Sequence, residues 1–445
     1  MKAKPTYKLR VAGFSMQSVA AFILLFISIK SFSQAEAPYS IYGLGALRNP
    51  VFSANQGMGY LAAPYASGVN INYANPASYA SLTRTTIDLG AMLDGNHISA
   101  GGDSSYRSGN ASVDHFAIAL VPSSKHNAWA LSLGLLPYSN VNYNYIQNFN
   151  DNSIGPYAES YIGSGSLYNA YVGGAYKVNG FSIGANVGFI FGKLQYEKTI
   201  SFPQDSFGSY ATQNITDVNI KSFSYNIGVQ YQKLIYHNRD DPDARRDVYI
   251  FFGAYGATSL KMTAKVSTYW DRSVYDPSTS TQTVIDTLQS QALQVGKITL
   301  PYNAGAGLMF GNERFWLWGA DFKYNGWGSF NTILDNGGLV NSWQISTGGQ
   351  ITPKYDDRNY LYRMQYRIGA YYGKSEITFA GSQLTQAGAT LGFGFPFKSV
   401  AHINFTGDFG QLGSPGNVAV LQQTYYRFTL GIVLNDIWFI KRKFD

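Results

Sequence analysis

Phe181-Ser182-Ile183-Gly184-Ala185-Asn186-Val187-Gly188-Phe189-Ile190-Phe191-Gly192 is the stretch on which the fold turns. Apolar residues at odd positions alternate with mostly small or polar ones at even positions, Ile190 being the exception, which is the period of a strand with one apolar face. Phe223, Tyr225, Ile227, Val229 and Tyr231 repeat the pattern against Ser224, Asn226, Gly228 and Gln230, and Tyr362 to Ala370 repeats it again. A soluble sandwich hides such faces in one core. Here there are many such strands, and few charges on the alternate faces to meet water.

Composition agrees. Of 445 residues, 33 are Lys or Arg and 26 Asp or Glu, so 13% are charged, against roughly 25% for a soluble domain. There are 47 Gly, 35 Tyr and no Cys. Disorder is excluded by the 45% hydrophobic content. Thiolate metal sites, disulfide scaffolds and cysteine nucleophiles are excluded by the absent cysteines. A mean hydropathy of −0.13 is too polar for a bundle of membrane helices. Only helices and closed barrels satisfy every backbone group in lipid, so a membrane-embedded form of this chain is a barrel.

Residues 1–33 have the form of a secretory signal: Lys2, Lys4, Lys8 and Arg10, then an apolar run from Val19 to Ile29, then Ser31-Phe32-Ser33 before a cut at Gln34. Their removal takes five basic residues and no acid, leaving 28 basic against 26 acidic, or +2. The basic balance is therefore no argument for nucleic acid. The bland alternative is an ordinary apolar helix.

The period-2 pattern from Thr83 onward predicts fourteen strands: about 84–95, 113–121, 127–145, 165–177, 180–197, 218–236, 247–270, 298–310, 314–327, 340–351, 362–372, 386–395, 400–408 and 423–435. Connections alternate between long (such as 198–217 and 271–297) and short (such as 178–179 and 311–313). That is the plan of an outer-membrane antiparallel β-barrel, and an even count puts both termini on the short-turn, periplasmic rim. Past the last strand come Trp438, Phe439 and basic Lys441-Arg442-Lys443. Residues 34–82 do not alternate, and they are rich in Gly, Ala, Asn and Pro. With so few charges, such a segment needs burial, and a barrel of this size has a lumen to fill. The expected organisation is a signal at 1–33, an N-terminal plug (hatch) in the lumen at 34–82 and a transmembrane barrel at 83–445; the alternative for 34–82 is a disordered leader.

Within that segment Gln56-Gly57-Met58-Gly59 is followed by Asn72-Tyr73-Ala74-Asn75-Pro76-Ala77-Ser78, which leads into strand one. This resembles the FadL-type long-chain fatty-acid outer-membrane transporters. That family has a fourteen-stranded barrel, a plugging hatch and an Asn-Pro-Ala hatch motif, matched here by Asn75, Pro76 and Ala77. The hatch and the Ser-Gln cut resemble Bacteroidota members. The resemblance also implies a kinked strand that opens a lateral gap. Pro137, in strand three after Leu131, Leu133 and Leu135, is the residue that fits, because proline gives the ladder no N–H. The plain alternative is a strand that rises beyond the membrane at Pro137. If the ladder breaks there, the hatch should approach, with Asn75 as the candidate contact.

Catalytic chemistry is weakly represented. His97, His115, His126, His237 and His402 have no metal-ligand spacing, and no nucleophile can be placed beside a histidine. Gly369 to Ser375 departs from a phosphate loop in spacing and lacks a following helix. No catalytic or metal site and no cofactor is expected. Lumen-facing charges are Asp88, Asp321, Lys323, Arg363, Arg367, Asp408 and Arg427; of these Arg363, Arg367, Asp408 and Arg427 form the expected polar network, either plug anchors or a carboxylate-binding lining. The expected protein is not an enzyme. It is an outer-membrane barrel, meeting lipid and hydrophobic small molecules, that passively takes up such molecules with lateral exit. The alternative is an accessory barrel subunit, bound to other outer-membrane proteins, of a secretion or barrel-assembly machine; the acids Asp103, Asp151, Asp205, Asp217, Asp271 and Asp276 in the long connections favour it over a greasy landing pad.

Overall fold

The computed structural model describes residues 38–99, 105–122, 129–202, 210–237, 247–276, 281–332, 338–379, 381–397, 401–413 and 421–438. The expected signal at 1–33 and the terminal Phe439 and Lys441-Arg442-Lys443 lie outside them.

Fourteen antiparallel strands close into a barrel. They are β1 (Thr85–Ser99), β2 (Ser105–Leu120), β3 (Trp129–Asn140, resuming as Tyr143–Asp151), β4 (Gly155–Val178), β5 (Phe181–Ser201), β6 (Ala211–Tyr236), β7 (Val248–Ala257 with Leu260–Asp276), β8 (Thr281–Leu300 with Asn303–Asn312), β9 (Trp316–Asn325), β10 (Ser342–Ile351), β11 (Gln365–Phe379), β12 (Ser382–Phe397), β13 (Ala401–Gly413) and β14 (Gln422–Asp436). Each pairs with the next, and β14 returns to β1 from Gln422↔Ser99 to Asp436↔Thr85. Closure removes the free sheet edges that lipid cannot satisfy.

The pleat decides facing. In β5, Phe181, Ile183, Val187 and Phe189 are exposed, whereas Ser182, Asn186 and Ile190 are buried. Leu131, Leu133 and Leu135 of β3 and Ile368 and Tyr372 of β11 also point outward. The outer surface is thus an apolar belt, and the inner surface mixes polar and small residues with an apolar cluster that includes Leu167, Ile190, Leu194, Val218 and Ile220.

Two expectations are corrected. The connections over 198–217 and 271–297 are mostly strand: β5 runs to Ser201, β6 starts at Ala211, and β7 and β8 extend to Asp276 and from Thr281. The apolar alternation fades above the bilayer, but Thr-rich segments such as Thr281–Leu300 still favour extended backbone, so pairing continues past the membrane. β4 and β6 have 24 and 26 residues where roughly 9–11 span a bilayer; β9 and β10 have ten each. One rim is therefore raised on the β3–β8 side.

The second correction concerns the N-terminal segment. β1 begins and β14 ends at the short-turn rim, as an even count requires. Pro38–Ile41, however, sits at the raised rim. The Tyr39 hydroxyl donates to the Leu421 carbonyl, and Ser40 Oγ accepts from Asn142 N at 3.3 Å. From there the chain descends to Thr83, touching the inner faces of strands around the ring. Phe52, Ile71, Tyr79 and Leu82 pack with Ala117, Ala130, Leu136 and Tyr171. Met58, Leu61 and Tyr65 pack with Phe251, Met309 and Leu317. At Gly59, where φ is +71°, an added Cβ would sit 2.8 Å from the Thr347 carbonyl, so the hatch turn fits the wall only as glycine.

Candidate functional site: a broken ladder and the cavity behind it

β2 and β3 pair from Leu120↔Leu131 to Phe116↔Leu135, and no pairing between them continues beyond that point among the described residues. Two irregularities part them. Pro137 brings no N–H, and the β3–β4 register slips between Pro137 and Ser139. Opposite, Asp114 is an extra residue of β2: His115 faces Gly90 and Val113 faces Ala91, with a register shift between. A bulge twists its strand, and here it turns β2 from β3. Pro137 was legible from sequence. The bulge was not, since Asp114 reads as an ordinary polar position.

The hatch does approach the break, though not through Asn75. Ala46–Leu47 forms a two-residue strand on the β3 lip, with Ala46 opposite Asn140 and Leu47 opposite Ser139. Arg48 N donates to the Tyr138 carbonyl at 3.0 Å. Asn75 is far along the wall. Its Oδ1 accepts from Ala77 N at 3.2 Å, and its Nδ2 donates to the Ala63 and Val229 carbonyls at 2.7 and 3.3 Å. Asn75-Pro76-Ala77 therefore starts a short 3-10 helix, Pro76–Ser81, with Asn75 as its cap and proline in the first turn. Tyr79 and Tyr73 tie the same region to Asn186 of β5.

Behind the break lies a cavity of about 350 Å³. Leu136, Pro137 and Tyr138 line it beside the break, and Trp327 and Trp343 line its far side. Asp114, Lys323, Glu376 and Arg427 supply polar walls. It is neither a greasy tube nor a wet pore.

The polar network centres on Asp94 and Asp408. Arg427 Nε donates to Asp94 at 2.9 Å and its Nη1 lies 3.7 Å from Asp408; Arg48 of the hatch reaches Asp94 at 3.0 Å. Tyr60 of the hatch and Tyr371 each donate to Asp408 at 2.7 Å. Asp321 accepts from the Ala62 and Ala63 amides at 2.7 and 3.1 Å. Arg367 donates to Gln350 and Asn404 at 2.8 Å, and to Gln365. Asp88 accepts from His115. Arg363 is misplaced by the sequence reading: it ends a four-residue helix, Tyr360–Arg363, in the turn before β11, with its guanidinium over Tyr360. The strand starts at Gln365, three residues later than the alternation suggests, because Asn359 caps that helix. Sequence reasoning missed Asp94 and Arg48. Arg48 did leave a signal, as the only basic residue between Gln34 and Leu82.

Burial keeps the hatch phenols Tyr60, Tyr65, Tyr73 and Tyr79 above the ordinary tyrosine value, Tyr73 at about 12. They are hydrogen-bond donors throughout the neutral range. The carboxylate of Asp408 adds to the effect at Tyr60. No group of three metal-ligating side chains occurs among the described residues.

A closed fourteen-strand ring with an apolar outer belt and an occupied interior defines a transmembrane β-barrel of the outer-membrane type. Within that class the chain belongs to the BamG family, whose match covers residues 16–445. In fold it is similar to the toluene transporter TodX of P. putida (TM-score 0.56, 14% identity, covering 88% of this chain and 100% of that one). It is also similar to a Pseudomonas aeruginosa FadL homologue (TM-score 0.55, 12% identity, 88% and 100%) and to the monoaromatic hydrocarbon channel CymD (TM-score 0.53, 13% identity, 90% and 100%). No curated protein matches the sequence.

Proposed function

We propose that this barrel is a passive outer-membrane channel for hydrophobic small molecules, with Gln34–Leu82 as its hatch and the Pro137 break as its lateral exit. The carrying observation is the cavity of about 350 Å³ whose wall includes Leu136, Pro137 and Tyr138, so that the internal space and the missing ladder are adjacent. Two of the similar folds named above, TodX and CymD, are described as a toluene transporter and a monoaromatic hydrocarbon channel, which supports the reading. Cargo enters at the raised rim, passes over the hatch and leaves into the membrane between β2 and β3. No energy source is needed if the gradient is downhill.

A second reading is a structural subunit of a multi-protein outer-membrane machine. It is favoured by the anchoring of the hatch through Asp94, Asp321 and Asp408, which holds the lumen filled. Uptake of radiolabelled toluene by cells with wild type or Pro137→Val separates the two. Channel function requires slower uptake by the folded variant, because valine restores the ladder donor. Unchanged uptake, together with recovery of the barrel in a stable complex from mild detergent, would replace the channel reading with the subunit reading.

A further inference from the structure

From the open side of β2 we infer that this strand accepts a β-strand from a second polypeptide over Gly109–Asp114. The inference goes beyond transport and does not depend on it.

β2 has two edges. One is paired with β1 along its length, from Ser105↔Ser99 to Ala119↔Thr86. The other is paired with β3 only over Phe116–Leu120. Over Gly109–Asp114 it meets no described strand. The opposite lip is treated differently: Ser139 and Asn140 of β3 carry the hatch strand Ala46–Leu47. This gap already takes extended chain as a ladder partner, on one of its two sides.

The chemistry of the open edge points to the same occupant. Backbone N–H and C=O groups at membrane depth need hydrogen bonds, which acyl chains and hydrocarbons cannot give. A strand edge offers them in register to another strand. Six residues at about 3.3 Å each make an edge of roughly 20 Å, the ordinary length of a strand. Its outward side chains are small or apolar: Ala111 is exposed, and Val113 is 65% exposed, so nothing bulky screens the edge. The Asp114 bulge sends the one carboxylate of the edge inward, where Gln56 Nε2 and His115 Nδ1 meet it at 3.2 and 2.8 Å. The fitting partner is an extended segment without proline, alternating apolar residues toward lipid with small or polar ones toward the lumen.

The test uses the full chain in lipid nanodiscs and a blocked heptapeptide of alternating valine and threonine. A second peptide, N-methylated at alternate residues, has the same side chains but lacks the donors of one edge. Amide hydrogen exchange is followed along β2. The expected result is rapid exchange at about half of the Gly109–Asp114 amides in the protein alone. The unmethylated peptide should slow those amides roughly tenfold, about one hydrogen bond's worth; the methylated one should not. Because the chain has no cysteine, Ala111→Cys and Val113→Cys also allow disulfide trapping of a peptide carrying one cysteine, and same-face positions should trap with a two-residue period. Equal effects of both peptides would mean simple filling of an apolar slot by lipid-like material, and would overturn the inference. So would uniform protection before any peptide is added, or trapping without periodicity.

Discussion

The Phe52 ring of the hatch lies flat on the imidazole of His115, with centroids 3.8 Å apart and planes 2° apart. That imidazole is fully buried, with Asp88 at 2.8 Å from Nε2 and Asp114 at 2.8 Å from Nδ1. Each ring nitrogen is thus held by a carboxylate in the plane of the ring, and the face left over is covered by Phe52. The stack joins the hatch to the bulge that opens the wall.

Removing the histidine should therefore release the hatch as well as weaken β2. His115→Ala takes the imidazole from the buried Asp88 carboxylate and leaves Asp114 with Gln56 alone, a loss of about 3–5 kcal/mol. Phe52→Ala removes the stack and apolar burial but no hydrogen bond, and should cost about 3–5 kcal/mol as a core truncation. Limited proteolysis of the hatch, measured beside barrel unfolding in lipid, distinguishes them. Phe52→Ala should loosen the hatch while leaving the barrel intact; equal barrel loss in both variants would show that the hatch is not a separable element.

The two faces of β5 should respond differently. Phe189→Lys places a charge on the lipid face and should destabilise the barrel by about 2–4 kcal/mol near midplane. Asn186 is inward and bonds Tyr79 Oη at 3.0 Å and the Tyr73 carbonyl at 3.1 Å. Asn186→Ala should leave membrane insertion unchanged and increase exchange at hatch amides near Pro76–Ser81. A reversed pattern in reversible unfolding would mean that the facing of β5 is wrong.

Arg427 is bound to Asp94 and lies against Asp408, and Arg48 is bound to the same Asp94. Arg427→Met leaves the buried Asp94 with Arg48 as its one cation and Asp408 with its two tyrosine donors, and should cost up to about 3 kcal/mol. Arg427→Met with Asp94→Asn removes charge of both signs and should recover part of the loss, so the double-mutant cycle reads their coupling. Simple additivity of the two losses would remove the network from the account of hatch anchoring.

Glu313, in the turn between β8 and β9, accepts from the Gly68 amide at 2.9 Å and from the Ser67 hydroxyl at 2.5 Å. Burial raises its carboxyl above the ordinary glutamate value, while those hydrogen bonds, Arg314 and Lys177 pull it down. An acid raised on folding contributes stability that is complete below its unfolded pKa and is lost as pH rises through the folded one. Exchange at the Gly68 amide should therefore quicken from the ordinary glutamate range, about pH 4.3, upward. Glu313→Gln should flatten that dependence. Slower exchange with rising pH, after correction for intrinsic rates, would reverse the sign.

What the amino-acid order determined by itself is periodic. Alternation over Phe181–Gly192 sets β structure and which side meets lipid, since successive side chains of a strand must point to opposite faces. Fourteen such stretches set the ring, and the charge-poor, non-alternating run before Leu82 called for burial. Pro137 marked the break because a missing donor is a property of one residue type. The extended hairpins escaped notice because pairing above the membrane needs no lipid-facing pattern. Arg363 was drawn into the lumen by an alternation that a capped turn interrupts. Tertiary structure alone decided the rest: the Asp114 bulge, the hatch strand at Ser139 and Asn140, and the meeting of Arg48 with Asp94. Each depends on which backbone edge is left open after the ring closes, a quantity that no single strand contains.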